Sequence, residues 1–258
     1  MTKKYFFFDI DGTLIPEGYT TAKVPESVVK TLDELRAKGH FVAIATGRAE
    51  AMARKVREEL GFENMVHDGG AGITINNEII SIDPLDHEAV NELIDQCKEH
   101  GFTWGLGPEN MDYRLVPDER FFEETHDKYC PCKVVEGLDP RNYPQIIKAY
   151  VACHAGDEEL LPALKKLPWA RFQPTYIFVE PTSKSNGIRK VVDYFGGDYK
   201  DVVVFGDAMN DYDMFRDEWT SIAMGNACQE LKDKADYVTA DADKDGIYLA
   251  CKHYGWVD

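Results

Sequence analysis

The chain has 258 residues, 44% of them hydrophobic and 29% charged, with a formal net charge of −17 at pH 7. That length suits one large α/β domain or a domain carrying a smaller insert, and the acidic balance argues against nucleic acid or an anionic membrane as a general partner. No stretch approaches the roughly 20 apolar residues that cross a bilayer, and the apolar run Tyr5-Phe6-Phe7-Phe8, cut off by Asp9, is too short for a signal-peptide core.

Lys4 to Ile10 reads as a buried strand ending in carboxylates. Pro25 to Ala37 follows as a helix, with Val28, Val29, Leu32 and Leu35 on one face and Gly39 placed to stop it. Phe41 to Ala45 is a second strand, and Ala49 to Leu60 a second helix ended by Gly61. This β-α-β-α order predicts a parallel sheet covered by helices.

Gly72 to Ile82 then resembles a hairpin turning at Asn76-Asn77. From about Pro84 the pattern is α+β. It comprises a helix at His87–His100, strand-like runs at Phe102–Leu106 and Asp112–Val116, and a further helix. A strand at Ile147–Cys153, a helix at Asp157–Leu167 and a strand at Arg171–Val179 complete it. After Pro181 the β-α alternation resumes. Asn186–Phe195 is a helix, Val202–Phe205 a fully apolar strand, Tyr212–Phe215 the start of a short helix, Ser221–Met224 and Tyr237–Thr239 strands, and Gly246–Tyr254 a last helix. The expected architecture is a Rossmann-like, doubly wound α/β core with a mostly parallel sheet, made from residues 1–82 and 182–258 and interrupted by an α+β insert at 83–181.

Six cysteines are scattered along the chain, and only Cys130-Pro131-Cys132 is close-spaced. Without a second Cys or His pair this does not make a zinc site, so reduced thiols in a cytoplasmic protein are expected.

Ligands of open parallel sheets bind beyond the carboxyl ends of the strands. Four polar clusters fall there. Asp9-Ile10-Asp11-Gly12-Thr13 follows the first strand and puts two carboxylates at i and i+2, on one side of an extended chain. Such crowding is costly unless a cation or a shared proton relieves it, although Asp-Gly is also ordinary turn chemistry. Thr46-Gly47-Arg48 follows the second strand and offers a hydroxyl and free amides to a phosphate, or a plain helix cap. Lys184, at the start of the helix after the insert, could reach a phosphate or lie solvated on the surface. Gly206-Asp207-Ala208-Met209-Asn210-Asp211 follows an apolar strand and offers oxygen ligands to a hard cation such as Mg²⁺, or merely an acidic helix start. Each cluster is ambiguous alone. The set suits a divalent cation and a phosphoryl group, and a cation with a local lysine would let so acidic a protein handle an anion.

The order Asp-x-Asp-Gly-Thr, Thr-Gly-Arg, Lys, Gly-Asp-x-x-Asn-Asp resembles the haloacid dehalogenase-like superfamily. Ile222-Ala223-Met224-Gly225-Asn226-Ala227, Ala235-Asp236-Tyr237-Val238-Thr239 and Asp245-Gly246-Ile247 extend the resemblance to its Cof-type, sugar-phosphatase-like subfamily, whose α/β cap corresponds to the insert. The resemblance implies that Asp9 attacks phosphorus and that Asp11 acts as acid and then base. It further implies that Asp9, the Asp11 carbonyl and Asp207 hold Mg²⁺, with Asn210 and Asp211 supporting the metal or its waters. Thr46, Gly47, Lys184 and Asn210 fall at phosphate-binding positions. The implied partner is a small phosphorylated metabolite such as a sugar phosphate, with no nucleic acid, membrane or obligate protein partner. A phosphosugar mutase using the same nucleophile is the alternative, with Arg114, Arg120 and Lys128 as possible second phosphate contacts. Substrate-selecting candidates in the insert are Trp104, Asn110, Tyr113, Arg114 and Tyr176. The chain departs from the family at Gly69-Gly70-Ala71, where relatives often read Asn-Gly-Ala, and in having Ser185 rather than Gly directly after the lysine.

Overall fold

The computed structural model describes residues 2–16 and 24–258. The chain divides into two compact units, Met1–Gly47 with Lys55–Ser81 and Ser183–Asp258, and Arg48–Arg54 with Ile82–Thr182.

The first unit is built on eight strands: β1 (Tyr5–Phe8), β2 (Phe41–Ala45), β3 (Met65–His67), β4 (Gly72–Ile75), β5 (Glu78–Ile82), and, numbering past the strands of the second unit, β12 (Val202–Gly206), β13 (Thr220–Ala223) and β14 (Tyr237–Val238). Their order is β14-β13-β12-β1-β2-β3-β4-β5. All pairings from β14 to β3 are parallel, and β3 to β4 is antiparallel. Phe8 stands level with Phe205 on one side and Ile44 on the other, so the ends of these three strands coincide. Alternation along β1 explains why its whole run is apolar: Tyr5 and Phe7 meet Ile188, Val191 and Val192 of a helix, while Phe6 packs edge-on to Trp256 and Phe8 tilts against Phe62. Both faces are therefore covered, the condition under which a parallel strand has no polar side. From β1 the chain winds one way through β2 and β3, and from β12 the other way through β13 and β14. The switch between β1 and β12 opens the crevice in which such sheets bind ligands.

The helices α1 (Glu26–Ala37) and α2 (Glu50–Glu59) fall where the apolar spacing predicts. Asn76 and Asn77 both take positive φ, 51° and 68°, the conformation that a two-residue hairpin turn requires. Strand β3 escapes the sequence reading because its three residues, between Asn64 and Asp68, are too few to show a period.

In the second unit, α3 (His87–His100) and α4 (Arg120–Thr125) accompany a sheet of β6 (Trp104–Gly107), β7 (Arg114–Val116), β8 (Cys132–Val134), β9 (Lys148–Ala152), β10 (Ala170–Gln173) and β11 (Tyr176–Val179). The order is β10-β11-β9-β6-β7-β8. One face packs Leu106, Ala149, Val151 and Ile177 against Val90, Leu93 and Ile94 of α3. Two expectations are corrected here. The segment Asp157–Leu167 is not one helix but two 3-10 turns, Asp157–Leu160 and Pro162–Lys166, because Pro162 has no N–H to continue a ladder and clashes with the preceding turn. The run Arg171–Val179 is not one strand but a hairpin, broken at Pro174-Thr175.

The chain returns to the first unit through α5 (Lys184–Tyr194), α6 (Gln229–Lys234) and α7 (Gly246–His253). The residues after β12 form a 3-10 turn, Met209–Met214, starting earlier than the helix expected from Tyr212.

Candidate active site

Strand β1 ends at Phe8, two residues short of the strand expected to reach Ile10, and the chain then folds tightly on itself. Leu14 N donates to Asp9 O at 3.3 Å, Ile15 N to Ile10 O at 2.9 Å and Gly12 N to Ile15 O at 2.7 Å. Gly12 takes φ 82°, and a Cβ there would lie 2.1 Å from Asp207 Oδ2. Glycine is thus required both for the turn and for the approach of the Asp207 carboxylate. Thr13 Oγ1 donates to Asp207 Oδ1 at 3.0 Å, and Asn226 Nδ2 donates to Gly12 O at 2.9 Å. Neither Thr13 nor Asn226 was assigned a role from sequence, although both stand inside quoted motifs.

Around this loop the charges converge. Lys184, 1% exposed, donates to Asp9 Oδ1 at 2.7 Å and Asp211 Oδ1 at 2.6 Å. The other Asp211 oxygen accepts from the amides of Asp207 at 2.9 Å and Ala208 at 3.2 Å. One carboxylate oxygen from each of Asp9, Asp207 and Asp211 lies within 4.8 Å of the others, and all three residues are buried. The first turn of α5 is anchored by Ser185 N donating to Asp213 at 3.0 Å, which fixes the base of the Lys184 side chain.

The electrostatics follow from this packing. Burial, with the Asp211 carboxylate adding to it, pushes the Asp9 carboxyl up to about 7, although Lys184 pulls the other way. Burial works against the Lys184 ammonium, but Asp211 and Asp9 outweigh it and the net shift is upward. Lys184 bridges two of these buried carboxylates, and the third, Asp207, lies close beside them, so three carboxylates crowd around one ammonium. An all-oxygen donor set of this kind suits a hard divalent cation, which would remove the cost that burial imposes on Asp9. The residues present fit such an ion.

The remaining residues singled out from sequence take these places. Asp11 is exposed, two positions from buried Asp9, and stands outside the carboxylate group. Thr46 is 1% exposed at the end of β2, its N–H bonded to Val66 O at 2.9 Å, and Gly47 is half-buried beside it. Asn210 is half-buried in the 3-10 turn after β12. Strands β1, β2 and β12 are adjacent, so Asp9, Thr46 and Asp207 leave one edge of one sheet. In the second unit, Trp104, Arg114 and Tyr176 are buried at 3%, 0% and 1% exposure. Asn110 accepts from Ala51 N at 2.8 Å and donates to Glu50 at 2.9 Å, both partners lying in that same unit. Tyr113 packs against the α3-side core. Arg120 is taken up by Glu124 and Gly101 O, and Lys128 is exposed.

A lysine-bridged cluster of aspartates at the switch point of a doubly wound sheet suits a divalent cation and a phosphoryl group. The sequence pattern of the haloacid dehalogenase-like hydrolases matches residues 6–250. The chain belongs to that family, as a Cof-type hydrolase, and is a phosphatase of the superfamily. It is 32% identical over 269 residues to YkrA of Bacillus subtilis, provisionally named a phosphatase, with 99% of each chain covered. Among solved structures, a hypothetical protein of Geobacillus kaustophilus superposes with a TM-score of 0.86 at 30% identity, covering 99% of this chain and 100% of that one. The subclass IIB sugar phosphatase BT4131 superposes with a TM-score of 0.79 at 28% identity, covering 99% and 100%. No helix among the described residues is long and apolar enough to cross a membrane.

Proposed function

We propose that this phosphatase hydrolyses a small phosphomonoester, in the sugar-phosphate class, with Mg²⁺ and through a phosphoaspartate on Asp9. The observation that carries the reading is the buried Asp9–Lys184–Asp211 bridge beside Asp207, an arrangement too rich in charge to be kept for packing alone. The sugar class comes from the likeness to BT4131. Residues near 83–181 are read as the cap that helps to choose the substrate.

In this reading Asp9, Asp207 and the Asp11 carbonyl hold the cation, with Asp211 and Asn210 behind them, and when bound it neutralises charge on the transferring phosphoryl group. Asp9 Oδ attacks phosphorus; the bond to the ester oxygen breaks as the new P–O bond forms. Asp11 gives its proton to the leaving oxygen, then takes one from the water that hydrolyses the acyl phosphate. Lys184 offsets charge on the equatorial oxygens, and Thr46 and Gly47 orient them.

Phosphate release from a panel of phosphorylated sugars, nucleotides and cofactors, with magnesium and with chelator, tests this alongside Asp9→Asn. The expected result is magnesium-dependent release that the variant lowers by at least about 1000-fold. A variant that kept full activity would exclude Asp9 as nucleophile.

A further inference from the structure

Behind Thr46 and Lys184 lies a second buried polar group, in the same unit, to which the mechanism assigns nothing. The segment Asp68-Gly69-Gly70 has three successive positive φ values, 51°, 63° and 105°. Gly69 N donates to Thr46 O at 3.2 Å, and Gly69 O accepts from Ser183 N at 3.0 Å, next to Lys184. A Cβ on Gly70 would lie 2.2 Å from Ser183 O, and one on Gly187 2.4 Å from Val66 Cγ1 and 3.1 Å from Gly70 O. The turn is thus a backbone tie between the loop after β2 and the first turn of α5.

A left-handed run led by a non-glycine residue is strained and persists only when its surroundings hold it. Here the hold is visible. His67 Nδ1 sits 2.6 Å from Asp68 Oδ2, and His67 Nε2 sits 3.2 Å from Thr74 Oγ1. His67, Asp68 and Thr74 are 0%, 1% and 1% exposed. A Cβ on Gly72 would lie 2.1 Å from His67 Nδ1, so the ring fits only because that neighbour is glycine. An imidazole donating from Nδ1 to the carboxylate and accepting at Nε2 from the hydroxyl engages all three side chains.

We propose that Asp68, held by His67 and Thr74, is a positioning residue of the phosphoryl site, setting the separation of Thr46 and Lys184 through the Gly69 amide and carbonyl. This rests on reading those two residues as phosphoryl-binding. Two glycines make the tie, and the carboxylate just upstream locks it.

The test is steady-state hydrolysis of p-nitrophenyl phosphate by the full chain with magnesium, together with inhibition by orthovanadate, for Asp68→Ala, Asp68→Asn, Thr74→Val and Lys184→Ala. Asp68→Ala is expected to lower kcat and raise the vanadate inhibition constant by about 10- to 100-fold with less change in KM, since small misplacements of charge act on the transition state. Asn tolerates positive φ and can still bond His67, so Asp68→Asn should recover most of the loss. Thr74→Val, nearly isosteric, should weaken vanadate several-fold and stands in if Asp68→Ala does not fold. If Asp68→Ala (or Thr74→Val in its place) melts lower but keeps the wild-type vanadate constant, the role is structural only and the proposal falls. If Lys184→Ala also keeps wild-type hydrolysis and vanadate inhibition, it is the phosphoryl-site reading itself that fails.

Discussion

Lys184 in the first unit and Arg114 in the second are both buried cations, at 1% and 0% exposure, and their surroundings differ in kind. Lys184 faces Asp9 and Asp211 directly, with Asp207 beside them. Arg114 has one carboxylate, Asp127 at 2.5 Å, and its guanidinium carbon lies 4.2 Å from the ring centre of Tyr150, 5.1 Å from Phe121 and 5.4 Å from Tyr176. At Arg114 one cation meets one carboxylate and is wrapped in aromatic faces, which stabilise a cation without adding net charge. Around Lys184, by contrast, three buried carboxylates crowd one ammonium, an arrangement that suits a divalent cation. A buried cation paired with one carboxylate holds a fold; one surrounded by several carboxylates marks a site.

The largest expected effect breaks the balanced pair. Arg114→Met leaves Asp127 nearly buried without its partner and should cost about 3–5 kcal/mol of unfolding free energy. Denaturant titration measures it, and removing both charges with Asp127→Asn should recover part of the loss. Specific activity per folded molecule should change far less. If activity vanished at unchanged stability, Arg114 would be a ligand contact rather than an internal counter-ion.

Lys184→Met should invert that pattern. Loss of one preorganised cation from a phosphoryl site costs on the order of 100- to 1000-fold in kcat. Stability should fall less than for Arg114→Met, because Asp9 already stands at about 7 and can take up a proton. A variant that unfolds as readily as Arg114→Met while hydrolysing normally when folded would erase the distinction between the two cations.

The crowded carboxylates also predict a metal response. Mg²⁺ at about 100 times its Kd should stabilise the protein by roughly 2.7 kcal/mol, read as a rise in Tm that chelator reverses. Gly12→Ala should abolish most of that rise, since its Cβ would occupy the space of the Asp207 carboxylate. A variant that kept the full rise would show that Asp207 is not where the ion is held.

The same contrast explains what could be read in advance. The first unit was legible because its strands are apolar on both faces and stop where polar clusters start, so composition alone marks the strand ends. Asp9, Thr46 and Asp207 were all found that way, whereas Lys184 came from the helix start after the insert. The insert was legible only in outline. Its sheet has one face on α3, and its second face carries Tyr150 and Tyr176 around Arg114, with Phe178 packed on both tyrosines. An arginine in an alternating strand looks like a solvent-facing position, and nothing local reveals the rings that enclose it. The His67–Asp68–Thr74 group was invisible for a related reason: its members belong to a three-residue strand and its neighbours, and their meaning lies in what the backbone ties together.

The smallest effect concerns a buried group of the first unit that stands outside the site. His40, 6% exposed, accepts from Lys4 N through Nδ1 at 3.0 Å and meets Phe6 edge-on. Burial holds its imidazolium below the ordinary histidine range, with the Lys38 and Lys4 charges adding to it. The unfolded chain therefore binds the proton more readily than the folded one. Stability from this group is complete above the unfolded value of about 6.5 and is lost as pH falls toward the folded value, so unfolding free energy rises with pH across that window. One proton limits the slope to about 1.4 kcal/mol per pH unit. Asn at this position offers an oxygen to Lys4 N but does not titrate. Denaturation between about pH 5 and 7 should show a shallower slope for His40→Asn than for the parent. An unchanged slope would place the acid sensitivity elsewhere.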